Sequence, residues 1–297
     1  MKHKRQHYIP NFYLQAWCDP NCPVGQTPYV WRFSKDGTQV RNKSPEKIFY
    51  EKDFYTIRAE DGERDLILES NLSRLEGEFS TLRKDKLSKR LPLSSKDHLI
   101  LCMFVAAMYG RTKAYKEHWS KQWQRALELG ERMQQWMDNA SSDDRNRMAK
   151  TLSEPHADRE DGLSLEDVRK MVEQPIQETL SGIVTDVSPM LFKIPLIIME
   201  TSPTLGFITS DAPCIWFDPA VYKKPVPSWA GGLVSPTIEI TLPLSPFQTL
   251  FFGKELIVSG IYLPVDEVTV ENLNKRTRLG AHEYFVSNHK ESRASWF

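Results

Sequence analysis

The chain has 297 residues, of which 40% are hydrophobic and 26% charged, with 39 Lys plus Arg against 39 Asp plus Glu. Balanced charge gives no global attraction for a polyanion, and the composition is that of an ordinary globular protein rather than a disordered or fibrous one. The longest apolar run, Leu99 to Tyr109, is far too short for a bilayer, and the basic leader Met1 to His7 lacks the apolar core of a signal peptide. Cys18, Cys22, Cys102 and Cys214 are too scattered for a disulfide framework, so a cytoplasmic chain with no membrane attachment is expected.

In chain order, His7-Tyr8-Ile9-Pro10-Asn11-Phe12-Tyr13-Leu14-Gln15-Ala16-Trp17 sets a histidine and a proline among four aromatics. Their roughly helical spacing suggests an arm that buries itself against the body. Tyr29 to Phe33 and Thr38 to Val40 flank an Asp36-Gly37 turn and read as a hairpin, Phe49 to Ile57 as one or two further strands, and Glu60 to Glu63 as a turn. Leu68, Leu72, Leu75 and Phe79 then recur at helical steps from Asp65 onward. Pro92 breaks that helix, and Ser94 to Asp97 caps a second one running from Leu99 to about Trp136, apolar at first and amphipathic later. Asn139 to Glu160 lacks a sustained apolar face and reads as a loop or short exposed helix. Ser164 opens another helix, with Asp167 at the acidic capping-box position. After Pro189, the segments Ile194 to Glu200, Phe207 to Thr209, Ile238 to Leu242 and Thr249 to Gly253 read as strands, Val268 to Ala281 as a helix and Glu283 to Ser287 as a last strand. The order of elements predicts an α+β fold. A helical block (63–190) packs on a mostly antiparallel sheet built from N-terminal strands (1–62) and C-terminal strands (191–297), in one domain.

Six spaced motifs then bear on identity: the His7 to Leu14 run, Leu68-Glu69 with Leu75-Glu76, Arg111-Thr112, Thr209-Ser210-Asp211-Ala212-Pro213, Leu242-Pro243-Leu244-Ser245-Pro246 and Leu273-Asn274. In this order they resemble the bacterial domain-of-unknown-function family DUF4238 over nearly the whole chain. The resemblance implies a bacterial or phage-borne single-domain protein of uncertain activity, with a role in defence against phage as an expectation. It assigns no catalytic residue.

The chemistry therefore rests on residue types. His7 can act as general base, metal ligand or phosphate contact, or it can pack the arm. Asp211 sits where a strand leaves the sheet, a place suited to a catalytic carboxylate and equally to a turn. Glu69 and Glu76 lie two helical turns apart beside the apolar stripe, so that Glu69 can be aimed into a cleft. Arg111 can clamp a phosphate bidentately, or pair with Glu69 or Glu76 to join two helices. Tyr8 and Asn274 complete the substrate-contacting candidates. Phosphate-loop, dinucleotide, nucleophile-elbow and kinase signatures are absent, and Cys214 reads as a packed thiol.

Two readings follow. In the first, a hydrolase cleaves phosphodiester bonds in nucleic acid, with His7 as base, Asp211 and Glu69 as ligands of a divalent cation (Mg or Mn) or as acid partners, and Arg111 as clamp. In the second, the same residues frame a non-catalytic groove that binds a defence-system partner protein, a phage product or a nucleotide.

Overall fold

The computed structural model describes residues 5–58, 63–152, 163–202, 206–221, 232–256 and 260–297. The leader residues 1–4, including His3, and the expected turn at 60–62 lie outside them. In the first quarter, β1 (Arg5–His7) leads into the short helix α1 (Asn11–Leu14), and a hairpin of β2 (Val30–Ser34) and β3 (Val40–Lys43) follows. Gly37, at φ 75°, supplies the positive dihedral that its turn requires. β4 (Tyr50–Lys52) precedes a two-strand ribbon of β5 (Ile57–Arg58) and β6 (Arg64–Asp65).

The helical block comprises α2 (Ile67–Asp85), α3 (Ser95–Gly110), α4 (Lys113–Asn139), α5 (Ser142–Leu152), α6 (Leu165–Glu173) and α7 (Pro175–Phe192). α2 buries Leu68, Leu72, Leu75, Phe79 and Leu82, the stripe its spacing predicts. Phe79 stacks flat on Phe104 of α3 with ring centroids 3.7 Å apart. At the foot of α3, a side chain on Gly110 would meet Ile183 at 2.8 Å, so this glycine sets how closely α3 approaches α7. Ser94 caps α3 and Ser164 caps α6, each reciprocated by an aspartate three residues on, as the sequence predicts.

One expectation is corrected here. The helix read from Leu99 to Trp136 is two helices, because Thr112 adopts an extended conformation and its Oγ1 accepts the Tyr115 N–H at 3.1 Å, starting α4 afresh. Within Asn139 to Glu160, the short exposed helix is the alternative that forms, as α5, and the remainder (153–160) lies outside the described residues. α7 runs through Pro189 to Phe192.

The C-terminal third adds β7 (Leu196–Glu200), β8 (Thr209–Ser210), β9 (Ile215–Phe217), β10 (Glu239–Ser245), β11 (Gln248–Gly253), β12 (Tyr262–Pro264), α8 (Glu267–Gly280) and β13 (Tyr284–Ser287). Among the described residues, the single expected sheet resolves into two larger sheets beside the two-stranded pairs β1-β4 and β5-β6. A five-stranded sheet, β12-β7-β11-β10-β9, is wholly C-terminal and antiparallel except where β12 meets β7. A four-stranded antiparallel sheet, β3-β2-β13-β8, joins both ends of the chain, with Phe33 stacked on Phe285 at 4.8 Å. The principal core draws on all three segments, from Tyr8 through Phe104 to Val286. Among the described residues no helix is long and apolar enough to cross a membrane.

The opening motif is the anchor of this arrangement. β1 pairs with β4, and the N–H groups of Tyr8 and Ile9 both donate to the Phe49 carbonyl, at 2.8 and 3.4 Å. Tyr13 and Trp17 are fully buried. The Tyr13 hydroxyl donates to the Pro243 carbonyl at 2.6 Å and meets Thr209 Oγ1 at 2.8 Å, while the Trp17 indole donates to the Phe207 carbonyl at 2.8 Å. Burying both rings and satisfying their polar tips fastens the arm to both sheets.

Candidate functional site

Arg5, the buried Gln6 and the half-buried His7 of β1 all line a cleft of about 330 Å³ between the arm, α2 and the corner where α3 gives way to α4, while Tyr8 is buried away from it. Glu69, Ser73 and Glu76 line it from α2, Asn11 from α1 and Arg111 from the corner.

The His7 ring meets Tyr50 edge-on, with centroids 5.5 Å apart, and its Nε2 lies 3.3 Å from the Glu46 carbonyl. A carbonyl only accepts, so that contact assigns the proton of the neutral ring to Nε2 and leaves Nδ1 as the acceptor. Burial pulls the imidazole below the ordinary histidine range, opposed by the Glu46 carbonyl and reinforced by the Arg111 charge.

Arg111 is 3% exposed, and each part of its guanidinium is engaged. One terminal nitrogen donates to Glu76 Oε1 at 2.6 Å, the other to the His7 carbonyl at 2.8 Å, and Nε to the Tyr55 hydroxyl at 3.0 Å. Burial pushes the Tyr55 phenol up to about 12 in spite of the neighbouring cation. Of the two uses the sequence allows for Arg111, the structure displays the one that joins helices. Glu69 Oε2 accepts a 2.6 Å hydrogen bond from the Gln6 amide, whose oxygen in turn accepts the Tyr55 backbone N–H at 2.5 Å. Asn11 Oδ1 is buried and has no hydrogen-bond partner among the described residues.

Asp211 is not among the residues lining this cleft. It is 2% exposed, and its carboxylate accepts backbone N–H groups from His282 (2.7 Å), Glu283 (2.8 Å) and Tyr284 (2.9 Å), thereby holding the turn from α8 into β13. Burial raises its pKa, and the three donors work in the opposite sense. The motif approaches Asp211 through Tyr8 rather than His7. Burial and then the Asp211 charge raise the Tyr8 phenol, whose ring packs on Phe49 and Phe54 at 5.9 and 5.6 Å instead of facing the cleft. Asn274, 1% exposed, clips the strand entering β8 by accepting the Ile208 N–H and donating to the Gly206 carbonyl, both at 2.9 Å. The structure thus brings His7, Glu69, Glu76 and Arg111 together and leaves Asp211, Tyr8 and Asn274 elsewhere.

Among the described residues, no three His, Cys, Asp or Glu side chains gather as a metal site. Gln6, Asn11 and Tyr55 belong to the cleft network and were not among the sequence candidates. The position of Asn11 directly after the proline is the signal for that residue, whereas strand alternation sets Gln6 on the opposite face from His7 and gives no signal for it.

The profile described as "Protein of unknown function (DUF4238)" matches residues 5–291. Comparison with curated proteins and with solved structures gives no match.

Proposed function

Since the chain belongs to the DUF4238 family over residues 5–291, whose description assigns no activity, we propose from the geometry that it is a recognition module with its ligand site in the His7 cleft. One observation carries this reading. The groups that phosphodiester cleavage would use are engaged by the protein itself: Arg111 by Glu76, Tyr55 and the His7 carbonyl, and Asp211 by three backbone amides. Beside the Arg5 and Arg111 cations, the cleft offers acceptors: the Glu69 and Glu76 carboxylates and the Asn11 oxygen, which has no hydrogen-bond partner among the described residues. These acceptors would repel a phosphate oxygen, whereas a guanidinium, ammonium or amide group would donate to the Asn11 oxygen and lie close to the two carboxylates, which Gln6 and Arg111 already engage. The ligand class is therefore a donor-bearing side chain, as a partner protein presents.

Titrating the isotopically labelled protein with arginine amide tests this. The expected result is a saturable shift of the His7 ring and Asn11 amide resonances that Asn11→Ala and Glu69→Gln weaken. Absence of any shift in the wild-type protein overturns it.

Hydrolysis of phosphodiester bonds in anti-phage defence is the second reading. It is favoured by the Glu46 contact, which orients a neutral His7 with Nδ1 available as a base. Incubation with DNA, RNA and nucleotides, with and without Mg or Mn, decides between the two. Cleavage that His7→Gln abolishes without loss of fold would establish the hydrolase.

A further inference from the structure

The α3–α4 corner carries a second cleft, of about 400 Å³, on which Thr112 rather than Arg111 opens. Tyr109, Tyr115 and Trp119 wall it from the helices, and Cys214 and Trp216 from the strand side. Tyr109 stacks on Trp216 with centroids 4.5 Å apart and planes 24° apart. Tyr115 meets Tyr109 edge-on at 5.7 Å and lies 5.8 Å from Trp119. Among the described residues, no Asp, Glu, Lys or Arg lines this space. Burial pushes the Cys214 thiol and the Tyr109 phenol each up to about 12, so both are neutral donors at physiological pH. The Tyr109 hydroxyl and the His118 imidazole make no hydrogen bond to a described residue. The Trp216 indole N–H is buried beside the Cys214 thiol.

We propose that this cleft binds an uncharged planar heteroaromatic ring of the nucleobase kind, stacked among the four aromatic side chains and hydrogen-bonded by Tyr109 and His118. The volume falls within the range of small-ligand sites. Aromatic faces receive a flat ring by stacking, with a preference for offset or edge-on contact. A cation would also find attraction at those faces, but a cleft with no carboxylate gives it no counter-charge to replace its hydration. An aliphatic ligand would offer the largely buried Tyr109 hydroxyl no hydrogen-bond partner. The site is separate from the His7 cleft, and the inference stands whether or not the reading of that cleft holds.

Fluorine NMR of the full chain labelled with fluorotryptophan tests the proposal, with the Trp119 and Trp216 resonances assigned through Trp119→Phe and Trp216→Phe. The probes are adenosine and uridine, with choline as a cationic control and cyclohexanol as an aliphatic one. The nucleosides are expected to shift both resonances saturably. Tyr109→Leu, which keeps the volume and loses the ring face, is expected to weaken binding about tenfold, in line with the loss of one stacking contact. If Tyr109→Leu fails to fold, His118→Ala on the exposed rim serves as the second variant, with weakened binding expected. The proposal is overturned if neither nucleoside shifts these resonances, if choline or cyclohexanol does so as strongly, or if the folded variants bind as the wild type does.

Discussion

Replacing Arg111 by lysine keeps a cation in place and removes the fork. The guanidinium makes three separate bonds, to Glu76, the His7 carbonyl and the Tyr55 hydroxyl, from a position only 3% exposed. A single ammonium on the same backbone can hold the Glu76 carboxylate but not reach all three directions, so two acceptors lose a charged donor. Hydrogen bonds to charged groups contribute about 1.5–3 kcal/mol each, and Glu76, 23% exposed, retains some water; a loss of about 3 kcal/mol is therefore expected for Arg111→Lys. Arg111→Met, which strands a largely buried carboxylate, should cost about 3–5 kcal/mol, and adding Glu76→Leu should recover most of that. Urea unfolding read as a shift in midpoint at constant slope provides the measurement. The His7 ring resonance should move in every single variant, because its carbonyl loses a donor. A folded Arg111→Lys within about 0.5 kcal/mol of wild type, or a double variant as damaged as Arg111→Met, refutes the argument.

Asp211→Asn replaces an acceptor of three backbone amides with a group that must present N–H on one side. It should lower stability by about 2–4 kcal/mol in thermal unfolding, whereas a purely catalytic Asp211 would leave stability unchanged. Burial lowers the His7 pKa, so the unfolded chain binds the proton more readily than the fold. Stability should then fall as pH drops below the ordinary value of 6.5 and level off once pH is beneath the folded value. His98 is lowered by burial too, so the His7 share is the part of that pH slope that His7→Gln removes and His98→Gln leaves. Ser94→Ala takes away the hydroxyl that accepts the Asp97 N–H at the start of α3 and should cost about 1 kcal/mol by denaturant titration.

What the sequence reveals divides by range. The caps at Ser94 and Ser164 are local, since donor and acceptor lie three residues apart, and both are readable from residue types alone. Thr112 carries the same chemistry but stands inside a pattern whose apolar and amphipathic halves run together across it, which hides the break between α3 and α4. The stripe on α2 follows from spacing. Asp211 is different in kind, because its partners lie some seventy residues onward and nothing around position 211 announces them. Its setting at a strand end fits a catalytic carboxylate and a structural latch equally well. Asn274 likewise serves a strand far from it in sequence. An ion pair between Arg111 and α2 is open to the sequence, but residue type does not choose Glu76 over Glu69. The bond from Arg111 to the His7 carbonyl is not legible in the sequence at all, since it depends on how the arm is laid against the corner.

The His7 motif is best understood through its backbone rather than its imidazole. The His7 carbonyl accepts from Arg111, its ring is held by the Glu46 carbonyl, and the next two amides converge on the Phe49 carbonyl. Phe49 itself sits at φ 56°, a left-handed conformation that a bulky aromatic adopts only when its surroundings impose it. Here the imposition is visible: the Tyr8 and Ile9 N–H groups bond its carbonyl, and the Tyr8 ring packs against its side chain. Further along, Tyr13 and Trp17 are tied to both sheets, so the arm cannot tilt without breaking buried hydrogen bonds on either side of the molecule. A site restrained from this many directions is preformed. Its ligand meets side chains whose ordering was accomplished on folding, which lowers the entropic cost of binding, whether what enters is a partner's side chain or a bond to be hydrolysed.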